Sequence, residues 1–80
     1  MDRKNRIARK FLQEKSPVKM REFLEIVGLP EDEYTVVLMH DIQRKDLLFI
    51  ADTMGFSERR VAELHRRALK KIVDTVEYMR

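Results

Sequence analysis

The residues whose types and spacing most suggest acid–base or metal chemistry are His40 and Asp41, with His65. The adjacent pair His40-Asp41 would suit metal-assisted phosphate hydrolysis. Such a site needs further histidines and aspartates, and His65 is the one other histidine. A zinc site would ask for three or four ligands at defined spacings. The two histidines therefore read as half-buried or surface residues, with His65, beside Leu64, facing partly inward or toward a polyanionic partner. No phosphate-binding glycine loop, nucleophile elbow or catalytic carboxylate pair is present in the sequence. No enzyme activity, metal or cofactor is expected. A small nuclease or phosphohydrolase around His40 and Asp41, dependent on a divalent metal, is the competing expectation.

The other chemistry is cationic. The stretch "FSERRVAELHRRALKKI" at residues 56–72 supplies Arg59, Arg60, Arg66, Arg67, Lys70 and Lys71 against Glu58 and Glu63. Residues 1–15 are also basic, and residues 22–46 between them are acidic. Two basic ends around an acidic middle suit a polyanionic partner better than the net charge of +3 suggests, although a charge run also serves simply as a solvated face.

Eighty residues allow one domain, close to the lower limit for a self-sufficient core. Two glycines, two prolines and 39% charged residues suit a small helical domain rather than a sheet. The absence of cysteine fits a reducing compartment. The charged start "MDRKNRIARKFLQEK" does not read as a secretory signal, and no apolar run reaches membrane-spanning length. A cytoplasmic protein is expected.

These residues must be positioned by helices. Ile7, Phe11 and Leu12 have helical spacing and predict a first helix ending near "KSP". Ser16-Pro17 starts a second, with Met20, Phe23, Leu24 and Val27 inward and Gly28 after its end. Pro30 and the acids Glu31, Asp32 and Glu33 open a third, whose inward face is Tyr34, Val37, Leu38 and Ile42. Asp46 caps a short fourth helix, and Gly55 makes a turn. Ser57 caps the last, which carries the stripe Val61, Leu64, Ala68, Leu69, Ile72, Val73 and Val76. The expected fold is all-α, a bundle of about five helices. It is expected to form a single domain over 1–80, with an N-terminal helical extension over 1–30.

Within it, "LLFIADTMGFSERRVAEL" has the organisation of a helix-turn-helix. A small Ala51 allows close crossing, Gly55 permits positive φ, and Ile50, Met54 and Phe56 fill the wedge against Val61 and Leu64. An ordinary αα-hairpin is the plainer reading. Beyond this pattern, "IADTMGFSERRVAELHRRALKKI" resembles region 4 of bacterial sigma factors, whose motif reads roughly I-A-x-x-L-G-[IV]-[ST]-x-x-R-V-x-x-I-x-x-R-A-L-x-K-L. Ile50, Ala51, Gly55, Phe56, Ser57, Arg60, Val61, Leu64, Arg67, Ala68, Leu69, Lys71 and Ile72 match or substitute conservatively. The resemblance covers about residues 33–73 and is most specific at its R-A-L-x-K ending.

The resemblance implies a DNA-binding transcriptional regulator of bacterial or phage type. Its recognition helix would start at Ser57 and enter the major groove of double-stranded DNA. Glu58, Arg59, Ala62 and Glu63 would face bases, while Ser57, Arg60, Arg66, Arg67 and Lys70 would contact phosphate. Glu58-Arg59 reverses the family's usual Arg-Glu order, and Ala62 and Glu63 stand where Arg and Gln are common. The usual promoter hexamer is then not the expected target. The alternative is a module that keeps the fold and binds RNA polymerase or another regulator without touching DNA.

Leu48 and Phe49 occupy positions usually polar in this motif. They are either covered by the N-terminal helices or exposed as a protein-partner patch. Tyr78 and Met79 extend the last helix, either packing on the first helix or, with Val73 and Val76, offering homodimer contacts. The basic segment Arg3 to Lys10 either adds backbone contacts to DNA or stays disordered.

Overall fold

One or two residues set each helix boundary. In the computed structural model, which describes Arg6, Lys10 and residues 13–79, helix α1 spans Pro17–Val27. The Ser16 hydroxyl accepts the Lys19 N–H at 3.3 Å, and Pro17 fills a first-turn position that needs no donor. Gly28 ends the helix at φ 74°, its N–H returning to the Leu24 carbonyl at 3.1 Å. Helix α2, Glu31–Val37, has no side-chain cap, and the acids Glu31, Asp32 and Glu33 in its first turn offset its positive end instead.

Helix α2 runs directly into a π turn, Leu38–Ile42, and the chain then reverses through Arg44, a non-glycine residue at φ 59°. Asp46 caps α3, Leu47–Met54, by accepting the Phe49 N–H at 2.8 Å. Helix α4 spans Glu58–Met79, and Ser57 accepts the Arg60 N–H at 3.1 Å. The described residues thus form four helices rather than five, all α with no strand among them. Ile7, Phe11 and Leu12, on which the fifth rested, lie outside the described residues, as does most of Arg3–Lys10. Arg6, Lys10 and Gln13 are themselves helical, with Glu14 N–H donating to Lys10 O at 3.2 Å.

The core is two clusters that share α2 and α4. Met20, Phe23 and Leu24 from α1 meet Val37, Ala68, Leu69, Ile72 and Val73 in the first. Val36, Ile50, Ala51, Val61 and Leu64 form the second, closed over by Met39, Leu47, Met54 and Phe56. Adjacent residues Val36 and Val37 therefore serve different clusters, each fully buried and worth about 1.5–3 kcal/mol. The buried face of α2 is Glu33, Val36 and Val37. Tyr34 and Ile42, expected inward, pack half-buried against the first cluster, and Leu38 is half-buried as well. The wider π turn breaks the steady helical period from Leu38 onward.

Glu33 is the exception inside the core, 6% exposed. Its carboxylate accepts two bonds from Lys71 Nζ, at 2.9 and 3.0 Å, so the buried charge is paired across α2 and α4. Val73 is buried against α1 and so is not available as a dimer contact, and Val76 packs half-buried on the same cluster. Tyr78 and Met79 do not pack inward as one expectation had it; they are 91% and 59% exposed at the end of the last helix.

Candidate nucleic-acid interface

The site begins with a tight turn. Helix α3 stops at Gly55, φ 73° and ψ 28°, and its N–H bonds back to Ala51 O, as does Phe56 N–H at 3.0 Å. Only Gly55, Phe56 and Ser57 separate α3 from α4. Buried Ala51 lets the helices approach, and Ile50, Met54 and Phe56 wedge against Val61 and Leu64 as their types require. Two helices joined by three residues, with a left-handed glycine at the corner, define a helix-turn-helix.

The turn fixes which face of α4 is outward. Val61, Leu64, Ala68 and Ile72 point into the clusters. At 100° per residue, Arg59, Ala62, Glu63, Arg66 and Lys70 gather on the opposite side. All five are exposed except Glu63, which is half-buried. Arg60 and Arg67 are exposed on one flank of this stripe and Glu58 on the other. Among the described residues, Arg59, Arg66, Arg67 and Lys70 make no ion pair or side-chain hydrogen bond. Their charges remain available to a partner.

Two of the cationic-face residues have internal duties as well. Ser57 uses an oxygen lone pair as the α4 cap, which leaves its O–H free to donate. Arg60 lies over the Phe56 ring, 5.9 Å from its centroid, and so braces the turn. Lys71, which matches the resemblance at R-A-L-x-K, belongs to the Glu33 pair rather than to the outward stripe.

Leu48 and Phe49 are 57% and 48% exposed on α3, so the expectation that N-terminal helices cover them fails. The inward positions of α3 are Ile50 and Ala51, and at 100° per residue Leu48 stands about 200° from Ile50 and Phe49 about 200° from Ala51, so both face away. Lys45 Nζ stands 5.3 Å from the Phe49 ring centroid.

Sequence reading missed one grouping. His40, Asp41 and His65 come together, although His65 is 24 positions beyond Asp41: His65 Nε2 lies 2.8 Å from Asp41 Oδ2. The two imidazoles meet edge to face with centroids 4.8 Å apart. The adjacency of His40 and Asp41 was visible, but nothing local signals that α4 brings His65 to them.

The comparisons with known proteins identify the helix-turn-helix. The family model described as "Sigma-70, region 4" matches residues 26–73, more than half of the chain. The chain belongs to the sigma-70 region 4 family, a DNA-binding regulatory domain family. No curated protein and no solved structure matches the chain. Among the described residues, no helix is long and apolar enough to cross a membrane.

Proposed function

We propose that this chain is a sequence-specific DNA-binding transcriptional regulator of bacterial or phage type, acting in the cytoplasm as a single domain, with no catalytic role. The observation that carries this reading is the free cationic stripe of α4 behind a family-typical turn. Helix α4 enters the major groove from Ser57. Arg59 reads guanine through its forked donors, Glu58 and Glu63 accept from cytosine amino groups, and Ala62 allows close approach to a thymine methyl. Ser57, Arg60, Arg66, Arg67 and Lys70 hold phosphates and release counterions.

The test is fluorescence anisotropy on random-sequence duplex DNA across a salt series, with the wild type and an Arg66→Ala/Arg67→Ala/Lys70→Ala variant. The expected result is salt-sensitive binding, with the log–log salt slope reduced by about 2–3 in the variant, since each phosphate no longer neutralised removes about 0.9. Failure of the wild type to bind at low salt would overturn the reading.

A second reading is supported by the exposed Leu48 and Phe49 beside the turn: docking on RNA polymerase without DNA contact. Such a complex is insensitive to the α4 triple variant, weakly dependent on salt, and abolished in Leu48→Ser/Phe49→Ser.

A further inference from the structure

We propose that His40, Asp41 and His65 form a binding site for one divalent transition-metal ion of the zinc type, clamping the π turn to the recognition helix. This inference is independent of the DNA-binding reading. The ligand atoms His40 Nε2, Asp41 Oδ2 and His65 Nε2 suit such an ion, and one ligand atom from each residue lies within 4.8 Å of the other two. A tetrahedral zinc ion with bonds near 2.0–2.2 Å spaces its ligands by about 3.3 Å. The His65–Asp41 pair at 2.8 Å has only to open slightly, and His40 to close by no more than about 1.5 Å, movements within reach of side-chain rotation.

The His40 tautomer is already arranged. The Lys45 carbonyl accepts only, so His40 Nδ1, 2.8 Å away, carries the proton and donates it. Nε2 of that ring therefore presents a lone pair. A ligating histidine whose other nitrogen is tied to a backbone carbonyl is the usual outer-shell arrangement of metal sites. The π turn and the left-handed Arg44 bring the Lys45 carbonyl back over His40. At the other pair, the Nε2 proton that His65 donates to Asp41 is released to solvent and Nδ1 takes one up, so that the ion occupies the proton's place between Nε2 and Oδ2. The carboxylate of Asp41 then neutralises part of the ion's charge.

Burial and access both fit. The Asp41 and His65 side chains are 9% and 12% exposed, so the ion is shielded from most competing water. A cleft of about 290 Å³ lined by Gln13, His40, Asp41, Arg44, Lys45 and Asp46 opens onto two of the three ligands and leaves room for a fourth, solvent-derived one. An N₂O donor set of this kind accepts zinc and cobalt in preference to calcium or magnesium.

The test uses the full chain with ZnCl₂ and CoCl₂. Expected are a Tm that climbs with zinc concentration, one-to-one calorimetric stoichiometry, and visible cobalt absorption of the intensity that four-coordination gives. Each of His40→Gln and His65→Gln, which retain hydrogen-bonding capacity and whose folding circular dichroism verifies, should abolish the zinc-dependent rise and the cobalt band. A wild-type Tm unmoved by excess zinc would overturn the site. So would a rise that persists in both folded variants, since the ion would then be held elsewhere.

Discussion

At the residue scale, Lys71 shows how a basic residue inside a cationic helix is committed to folding. Its ammonium is about half exposed, but its partner Glu33 is almost wholly inside the core. Removing the lysine leaves a buried carboxylate uncompensated, and that cost outweighs the modest value of an exposed pair. Lys71→Met is expected to destabilise by about 2 kcal/mol in urea unfolding, less than for a fully buried pair because Lys71 itself reaches solvent. Lys70→Met, one position away on the outward stripe, should shift stability by less than about 0.5 kcal/mol. For DNA, the order reverses: Lys70→Met weakens binding to all sequences alike. Arg59→Ala should instead cost about 1–3 kcal/mol on the preferred site only, in competition anisotropy with single-base variants.

At the scale of the element, two left-handed residues predict opposite signs. At Gly55, φ 73°, an added Cβ would meet nothing within 4 Å, so Gly55→Ala costs backbone strain alone, about 1 kcal/mol. Arg44 holds the same region with a full side chain, and Arg44→Gly is expected to gain about 0.5 kcal/mol after the added unfolded-state entropy is deducted. Thermal melts of the two variants should move in opposite directions. The caps follow a single rule: Asp46→Ala and Ser57→Ala each should lose about 1 kcal/mol. These boundaries were legible in the sequence because capping is local chemistry, and Ser16, Gly28, Asp46, Gly55 and Ser57 each announce themselves within a few residues. The π turn has no residue-type signature, and Arg44 is not a glycine, so neither is legible in the sequence. Glu33–Lys71 and Asp41–His65 span 38 and 24 positions. Such pairings depend on how the helices stack, which periodicity alone does not specify. The outward stripe of α4 was legible as a face; which bases it meets is a property of the complex.

At the scale of the whole molecule, α4 is the common wall of both clusters, and the order in which those walls close has a consequence in time. The helix-turn-helix cluster joins Ala51 to Val61 across roughly ten positions. The other cluster joins α1 to α4 across about 45, from Phe23 or Leu24 to Leu69. Closing the longer loop costs about 1.3 kcal/mol more in chain entropy before any packing offsets it. The shorter closure is therefore expected first, with α1 docking afterwards on a turn already made. Pulsed hydrogen exchange should show amides of α3 and the first half of α4 protected ahead of those in α1, and simultaneous protection would reject this sequence. On a ribosome the same asymmetry becomes a delay: α1 emerges well before α4 and meets only Val37 of its cluster until Leu69 and Ile72 have been made, so it docks fully only after α4 has followed it out.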